Sequence, residues 1–289
     1  MKPTWTAIRR SLGTAPAPAL VSGGRRPVGL AYRGDALETA RRLPEGSVDL
    51  IYADPPFGTG RRKVSRGGSF EDPSGDAYTP WLRDHAVAFH RILSPRGVLF
   101  LHLDWRSAAR ARLLFDGVFG EERLVNEIIW AYRTGGVARR HLARKHDTIL
   151  FYSKTASYTF RRLKERSYLR HEYGFSNVAI RKDERGRPFR ETFLRDVWEI
   201  PALRGNQPEA TGYPTQKPLA LLERIFRLGS DRGDLVFDPF TGSGTAAVAA
   251  QRLGRRWIAC DPSEEALRIL GHRLALADAA GQAFGSEPP

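Results

Sequence analysis

Two hydrophobic patterns alternate along most of the chain. Continuous apolar runs, which are typical of strands buried on both faces of a sheet, favour a series of short strands. These runs lie at residues 48–53, 97–101, 126–132, 147–152, 234–237 and 256–260. Segments with apolar positions at helical spacing lie at residues 79–93, 106–116, 218–228 and 263–276. Strands that alternate with helices predict an α/β fold with a doubly wound, mostly parallel sheet.

The composition and the hydrophobic periodicity of the sequence divide the chain into five parts. Residues 1–29 are rich in Ala, Pro and Gly and hold basic residues but no acid, which predicts a loosely ordered basic arm, either idle or in contact with phosphates. Residues 30–154 and 212–277 carry the strand and helix pattern, so we expect two halves of one domain. Residues 155–211 are polar and aromatic with weak periodicity, which predicts an inserted region. Residues 278–289 are expected to form a tail.

The charge balance narrows the class of partner. The chain holds 46 Lys and Arg residues against 32 Asp and Glu, a formal net charge of +14. Such an excess favours a polyanionic partner, because each neutralised phosphate releases a condensed counterion. No apolar run approaches the ~18 residues that a membrane span requires, so a membrane is not expected as a partner. The single cysteine, Cys260, excludes a disulfide framework.

A glycine-rich loop is the first candidate site. Gly242, Gly244 and Ala247 fit the G-x-G-x-x-G/A pattern directly after a predicted strand and at the start of a helix. Glycines let a ligand approach the backbone, and a helix N-terminus presents free N–H groups. Asp261 ends the next strand, where an acid can accept hydrogen bonds from ribose hydroxyls. The pattern predicts a cofactor that contains a nucleoside; the alternative is a tight strand-to-helix turn without a ligand.

Asp238 indicates which nucleoside. It lies at the end of a predicted strand, four residues before Gly242. The pyrophosphate of a dinucleotide would be repelled by a carboxylate at this position. S-adenosylmethionine has a cationic end, with an ammonium group and a sulfonium, and therefore suits Asp238 better.

The second candidate site is the turn formed by Asp54, Pro55, Pro56 and Phe57, at the end of another predicted strand. Two prolines fix φ and remove two N–H groups, so the turn is rigid and its carbonyls remain free acceptors. A carboxylate and a fixed carbonyl can accept two hydrogen bonds from an –NH₂ group, and an aromatic ring can stack on a planar base. The turn predicts a site for the exocyclic amine of a nucleobase. In the alternative, Asp54 caps the next turn and Phe57 lies in the core.

Basic residues cluster in two places. Residues 133–170 hold eleven Lys and Arg and two acidic residues, interleaved with tyrosines, which is typical of a surface that binds nucleic acid. A basic loop after Phe57 predicts a clamp on phosphates. The candidate phosphate contacts are Arg61, Arg62, Lys63, Arg66, Arg139, Arg140, Arg144 and Lys145. For each arginine taken singly, a solvated or locally paired charge is the alternative.

The Asp-Pro-Pro-Phe turn followed by the Asp-Pro-Phe-Thr-Gly-Ser-Gly-Thr loop resembles the β class of DNA amino-methyltransferases, which modify N6 of adenine or N4 of cytosine. These enzymes share a Rossmann-like fold in which the catalytic motif precedes the cofactor motif, a circularly permuted order. The resemblance covers most of residues 30–275. It leaves out the N-terminal arm and residues 155–211, which occupy the family's target-recognition position.

The resemblance implies a bacterial enzyme that uses S-adenosylmethionine to methylate double-stranded DNA. The target base is flipped out of the duplex and stacks on Phe57, while Asp54 and the Pro55 carbonyl accept its two N–H bonds. Within the cofactor set, Asp238 meets the methionine end, Asp261 the ribose and Asp35 the adenine side. The full set of expected cofactor contacts is Asp35, Gln216, Lys217, Asp238, Phe240, Thr241, Gly242, Ser243, Gly244, Thr245 and Asp261.

Several alternatives remain open at this point. Asp at position 54 resembles the adenine N6 enzymes, with cytosine N4 as the alternative, and Lys217 can instead be a solvated charge at a helix start. A nicotinamide-dependent oxidoreductase, a non-catalytic DNA-binding protein and a methyltransferase acting on RNA or on protein glutamine are rival functions. The family also suggests a cytoplasmic, nucleoid-associated location, a homodimer, and a cognate restriction endonuclease.

Other polar and aromatic residues are assigned to the core. His102 follows a buried strand and is expected to be a satisfied core histidine rather than a general base. The histidines lack metal-ligand spacing, so no metal is expected. The tryptophans expected at core positions are Trp81, Trp105, Trp130, Trp198 and Trp257.

Overall fold

The computed structural model describes residues 2–13, 17–23, 28–58, 62–65, 68–71, 75–132, 137–168 and 179–279 of the 289-residue chain. The described helices are α1 (Trp5–Leu12), α2 (Ala36–Arg42), α3 (Tyr78–Ile92), α4 (Ala108–Phe119), α5 (Leu219–Gly229), α6 (Thr245–Arg252) and α7 (Glu264–Ala279). The described strands are β1 (Leu20–Ser22), β2 (Gly29–Arg33), β3 (Val48–Ala53), β4 (Arg62–Ser65), β5 (Gly68–Glu71), β6 (Leu93–Asp104), β7 (Leu124–Ala131), β8 (His146–Ser153), β9 (Lys164–Tyr168), β10 (Arg181–Lys182), β11 (Pro188–Phe193), β12 (Val197–Glu199), β13 (Leu235–Asp238) and β14 (Arg256–Asp261).

Nine strands form the central sheet, in the order β1-β2-β14-β13-β3-β6-β8-β7-β12. The neighbours from β2 to β6 pair in parallel, as do β7 and β12, whereas β1 and β8 pair antiparallel with their neighbours. All six residues of β3 are buried, because helices cover both faces of the sheet. The predicted α/β class with a doubly wound, mostly parallel sheet is confirmed.

The two faces of the sheet carry two separate apolar cores. On one face, helices α1 to α4 pack through residues such as Leu82, Phe89 and Phe115. On the other face, helices α5 to α7 pack through residues such as Phe226 and Leu270. The sheet is therefore held rigidly from both sides, and its strand ends are fixed relative to one another.

The chain leaves the middle of the sheet in two directions. Strands β3 and β13 are parallel neighbours, with Val236 opposite Leu50 and Phe237 opposite Ile51. From β13 the chain continues to β14 on one side, and from β3 it continues to β6 on the other. In open α/β sheets, ligands bind in the crevice beyond the carboxyl ends of the strands at such a switch point. Asp54 directly follows β3 and Asp238 ends β13, so both lie at this crevice.

The expectation of a loosely ordered N-terminal arm is wrong for the residues described there. Thr4 caps α1 by accepting a hydrogen bond from the Ala7 N–H (3.2 Å), and Ile8 and Leu12 are buried in the first core. Lys2 forms an ion pair with Asp49 of β3. An eight-residue amphipathic helix is a weak signal inside a segment rich in Ala, Pro and Gly, which explains why the sequence pattern did not reveal it.

The inserted region contains more regular structure than its sequence indicated. Strands β9, β11 and β10 form a small antiparallel sheet. Strand β12 instead joins the central sheet beside β7 and buries Trp198 in the second core. The insertion is therefore built into the main domain through β12. None of the helices that the structure describes is long and apolar enough to cross a membrane.

Candidate active site

A cavity of about 430 Å³ opens at the carboxyl ends of β3, β13 and β14. The segments around Asp54, Lys217, Asp238 and Asp261 form most of its wall, although they are far apart in the sequence. The predicted site residues that line it are Asp54, Pro55, Pro56, Phe57, Gln216, Lys217, Asp238, Phe240, Thr241, Gly242, Ser243, Thr245 and Asp261. The fold thus brings the two predicted sites into one cavity.

The glycine-rich loop has the left-handed backbone that its sequence requires. Gly242 has φ of 50° and Gly244 has φ of 77°, a region that other residues rarely adopt. A Cβ on Gly244 would lie 2.4 Å from Leu270 of α7, so this glycine permits close packing of α6 against α7. Gly242 lines the cavity, but Gly244 does not. The role of Gly244 in this structure is to shape the loop rather than to form its surface.

The loop is held from behind by Arg273 of α7. Its Nη1 donates hydrogen bonds to the Ser243 carbonyl (2.9 Å) and to Thr245 Oγ1 (2.8 Å). Thr245 Oγ1 in turn donates to the Lys217 carbonyl (3.2 Å). This buried chain links the cofactor loop to the segment that carries Lys217. The sequence pattern missed Arg273, because it lies 28 residues beyond Thr245 on another helix and belongs to no local motif.

Asp238 is almost fully buried at 4% exposure. Its Oδ1 accepts a hydrogen bond from the Phe240 N–H (3.1 Å). Burial raises the pKa of Asp238 to about 8, against the effect of that hydrogen bond, and the nearby negative charges of Asp54 and Asp261 raise it further. No lysine or arginine in the described part of the chain pairs with it. The site therefore lacks the positive charge that would stabilise an ionised Asp238.

Asp261 lies at the other end of the same loop. Its Oδ2 accepts a hydrogen bond from the Gly242 N–H (2.8 Å), and its Oδ1 accepts one from the Ser263 N–H (2.9 Å). Burial raises its pKa, while these two hydrogen bonds lower it. A carboxylate has about four lone-pair positions, so Asp261 keeps capacity to accept further hydrogen bonds on the cavity side.

The proline turn is fixed by Tyr78 at the start of α3. Its hydroxyl donates to the Pro56 carbonyl (2.8 Å), and its ring lies under Gly58, where a Cβ would come within 2.8 Å of it. Pro55 itself lines the cavity. Phe57 is half-buried on the cavity wall and belongs to neither core. The turn therefore presents an acceptor and an aromatic ring to the cavity.

The Asp54 carboxylate has two different oxygens. Its Oδ2 forms an ion pair with Lys217 Nζ. Its Oδ1 is buried and has no hydrogen-bond partner among the described residues. An unpartnered buried acceptor is costly, and Asp54 is one of the residues that line the cavity. A ligand that carries a hydrogen-bond donor would satisfy Asp54 Oδ1.

The solvated-charge alternative for Lys217 is wrong, because the residue is buried. The loop that places it contains Thr215, a β-branched residue with φ of 66°, which is an unusual conformation that the surrounding structure must impose. Gln216 supports the same loop: its Oε1 accepts from the Thr211 N–H (2.8 Å) and its Nε2 donates to the Glu209 carbonyl (2.8 Å). Both polar ends of the Gln216 side chain are thus engaged within the protein.

Asp35, like Gly244, is a predicted cofactor residue outside the wall of the cavity. It caps α2, and its Oδ1 accepts a hydrogen bond from the Glu38 N–H (2.9 Å). It does not line the cavity. Its assignment to the adenine side of a cofactor remains a prediction.

The basic residues are only partly described. Arg61 and Arg66 lie outside the described residues, and Arg62 and Lys63 lie on β4, where only the backbone is described. Those that follow β7 are exposed in the connection to β8, except for the half-buried Lys145; they are Arg139, Arg140, Arg144 and Lys145. This connection lies at the same edge of the sheet as the candidate active site, because β7 ends there and β8 begins there.

Trp105 is not a core residue. It is 40% exposed, and the guanidinium of Arg144 lies 4.0 Å from its ring centroid. It directly follows β6 on a loop at the sheet edge, where the burial of the strand no longer extends. A second cavity of about 680 Å³ lies nearby, between Tyr132, Lys145 and the segment around Asn206.

His102, by contrast with Trp105, is fully buried as expected. No cluster that could hold a metal ion occurs in the described parts of the chain.

A nucleotide-type cavity at a switch point, with a proline-turn carboxylate beside it, defines the class of the protein as a methyltransferase-like α/β protein. The DNA methylase family model matches residues 48–271, and the chain therefore belongs to the N6/N4 family of DNA methyltransferases. It is 31% identical over 248 residues to the DNA adenine methyltransferase YhdJ of Escherichia coli (strain K12), covering 84% of this chain and 82% of that protein. It is 28% identical over 250 residues to the type II methyltransferase M.BglII of Bacillus subtilis, covering 82% of this chain and 66% of that protein.

Two solved structures show the same fold. The cytosine-N4-specific PvuII DNA methyltransferase matches with a TM-score of 0.67 and 19% identity, covering 89% of this chain and 88% of that chain. M1.HpyAVI, solved as a complex with SAM, matches with a TM-score of 0.57 and 21% identity, covering 85% of this chain and 98% of that chain. The predicted Rossmann-like methyltransferase fold and the resemblance to DNA amino-methyltransferases are confirmed.

Proposed function

We propose that this protein transfers a methyl group from S-adenosylmethionine to N6 of an adenine that is flipped out of double-stranded DNA. The observation that carries the proposal is the cavity shared by two carboxylates with opposite needs. Among the residues that the structure describes, no lysine or arginine pairs with the buried Asp238, and none donates a hydrogen bond to the buried Asp54 Oδ1. A cationic cofactor and a neutral amine match these two needs.

The residues around the glycine-rich loop fit the cofactor. S-adenosylmethionine supplies a methyl group activated by attachment to a sulfonium. Asp238 would face its α-ammonium end, and Asp261 would accept hydrogen bonds from its ribose hydroxyls. Gly242, with no side chain, lets the ligand approach the loop. A nicotinamide dinucleotide would instead bring the negative charge of its pyrophosphate close to Asp238, and would supply no cation at that position to favour the ionised carboxylate.

The proline turn fits the target base. Asp54 Oδ1 and the Pro55 carbonyl would accept the two N–H bonds of the amino group, which turns its lone pair towards the methyl donor. Phe57 would stack on the base. Lys217 leaves Oδ1 free for this task, because its ammonium group occupies Oδ2. Catalysis then rests on orientation and on acceptors that are already in place.

Adenine is favoured as the target by Asp54 in the motif and by the adenine methyltransferase among the relatives. Cytosine N4 is the second candidate, since the PvuII enzyme with the same fold is cytosine-N4-specific. Nucleoside mass spectrometry of DNA from an expressing host separates the two. We expect N6-methyladenine; N4-methylcytosine alone would move the proposal to cytosine, and no methylated base in the DNA would contradict it.

We further propose that residues 155–211 serve target recognition, as their position in the family order suggests. The exposed arginines between β7 and β8 and the basic loop after Phe57 would contact DNA phosphates near the flipped base. We also propose that the protein acts in the nucleoid of a bacterial cell, as a homodimer or beside a cognate restriction endonuclease. Sequencing with modified-base detection reports the recognition site, and a random distribution of modified bases would contradict site-specific recognition.

A further inference from the structure

A hydrogen-bonded chain of three side chains runs from the cavity across three neighbouring strands. Tyr52 of β3 lines the cavity and is buried. Its Oη lies 2.9 Å from Nδ1 of His102 on β6, and Nε2 of His102 lies 3.1 Å from Oδ2 of Asp147 on β8. His102 has 0% exposure. Neither motif of the family resemblance includes these three residues, and the function proposed above does not use them.

Asp147 determines how the hydrogens of this chain are arranged. Its other oxygen, Oδ1, accepts a hydrogen bond from the Tyr132 hydroxyl (3.1 Å). Burial alone raises the pKa of Asp147, but the hydrogen bond from His102 and the charge of Lys217 hold it below its usual value. An ionised carboxylate can only accept hydrogen bonds. The hydrogen between His102 and Asp147 therefore belongs to Nε2 of the ring.

The hydrogen of Tyr52 follows from the tautomer of His102. When the ring of His102 is neutral and carries its hydrogen on Nε2, its Nδ1 is an acceptor. The hydroxyl of Tyr52 must then donate to Nδ1, which leaves only lone pairs on its oxygen for the cavity. Burial and the charges of Asp54 and Asp238 raise the pKa of Tyr52 well above its usual value, so the hydroxyl keeps its hydrogen.

We infer that a neutral His102, oriented by Asp147, fixes Tyr52 as a hydrogen-bond acceptor for the α-ammonium group of the cofactor. The inference rests on the proposed function. The two N–H bonds of a target amine are matched by Asp54 Oδ1 and the Pro55 carbonyl, and have no need of a third acceptor. An ammonium group carries three N–H bonds, and Asp238 alone does not satisfy them. Tyr52 is thus a cofactor-binding residue, while His102 and Asp147 are positioning residues.

Two tyrosines at the two ends of the same network give a matched test. Tyr52→Phe removes the acceptor, whereas Tyr132→Phe removes one hydrogen bond to Asp147 and leaves the Tyr52–His102 contact in place. Calorimetry would compare S-adenosylmethionine with 5′-methylthioadenosine, a ligand that lacks the amino-acid end. We expect Tyr52→Phe to weaken S-adenosylmethionine binding about tenfold, the size of a hydrogen bond to a charged group. Methylthioadenosine binding should change less than about twofold, and Tyr132→Phe should alter neither ligand by more than that.

Asp147→Asn tests the positioning role, because an amide no longer fixes the tautomer of His102. We expect a selective loss for S-adenosylmethionine similar to that of Tyr52→Phe, and little added loss in the double variant, because both changes act on one interaction. Equal losses for both ligands in Tyr52→Phe, no loss in that variant, or fully additive losses in the double variant would each overturn the inference. Failure of the unsubstituted protein to bind S-adenosylmethionine would overturn the proposed cofactor as well, and is visible before any variant is made.

Discussion

The tips of β3 and β13 are parallel neighbours that end on carboxylates in one cavity, yet the protein treats the two acids in opposite ways. Asp54 forms an ion pair with Lys217, so its negative charge is already matched inside the protein. Asp238 has hydrogen bonds from the Phe240 N–H and the Thr241 side chain but no paired cation among the described residues, and burial raises its pKa to about 8. Under the proposed function, the protein provides a positive charge where the ligand is the neutral target amine, and provides none where the ligand is the ammonium group of the cofactor.

The largest expected effect is at the β3 tip. Asp54→Ala removes the acceptor that we propose for the target amine, and we expect kcat to fall about 10³-fold, as for the loss of a preorganised polar group at a reacting centre. Cofactor affinity should change less than about threefold, because Asp238 is untouched. Transfer of labelled methyl to DNA and calorimetry measure the two quantities.

The matched control is Asp231→Asn. Asp231 is an exposed carboxylate that pairs with Arg161, and it precedes β13 at the end of the strand opposite to Asp238. This variant should retain activity within about twofold. If Asp54→Ala transferred methyl groups at the rate of the control, the assignment of the two tips would be wrong.

A site can be predicted from sequence to the extent that its contacts join residues that are close together in the chain. The proline turn and the glycine-rich loop each lie within one strand-to-helix connection, so their conformations follow from nearby prolines and glycines. That both reach one cavity followed from the parallel order of strands at a sheet edge. The contact between Lys217 and Asp54 joins residues 163 positions apart, and no local pattern predicts which carboxylate a buried lysine will meet.

Two differences between the sequence-based expectations and the structure also arise from contacts between residues far apart in the chain. The expectation that Trp105 lies in the core is wrong, because β6 ends one residue earlier and the loop that carries Trp105 emerges at the surface. The sequence pattern does not predict helix α1, because this short helix is stabilised by packing of its apolar face against α2 and the sheet rather than by its own helix propensity. In both cases tertiary contacts decided the outcome.

The second prediction concerns the charge supplied to the β3 tip. Lys217→Met keeps the length of the side chain but leaves the buried Asp54 carboxylate without its cation, near Asp238. Breaking one side of a buried ion pair costs about 3 kcal/mol, so we expect the free energy of unfolding in a denaturant titration to fall by about that amount. The double variant Lys217→Met with Asp54→Asn removes both charges and should recover most of the loss. A single variant as stable as the original protein would show that the pair carries no such energy.

The third prediction concerns the charge withheld from the β13 tip. With a pKa of about 8 in the free protein, Asp238 is mostly protonated at pH 7, whereas a bound ammonium group favours its ionised form. Cofactor binding should therefore release close to one proton at pH 7, and affinity should rise about tenfold between pH 6 and pH 7. Calorimetry in buffers of different ionisation enthalpy measures the release. Asp238→Asn should abolish both effects, and a proton release that persists in this variant would assign the titration to another group.

The smallest effect is expected in the stability of the ligand-free protein. Because the pKa of Asp238 is raised from its ordinary value to about 8 on folding, the unfolded chain gives up this proton more readily than the folded chain, and stability falls as pH rises between these two values. Asp238→Asn removes this contribution while its carbonyl can still accept from the Phe240 N–H. We expect the variant to melt a few degrees above the original protein at pH 8, with the difference shrinking towards pH 5. A variant that is less stable at pH 8 would mean that the β13 tip is stabilised by its carboxylate even without a ligand, and the contrast with the β3 tip would be lost.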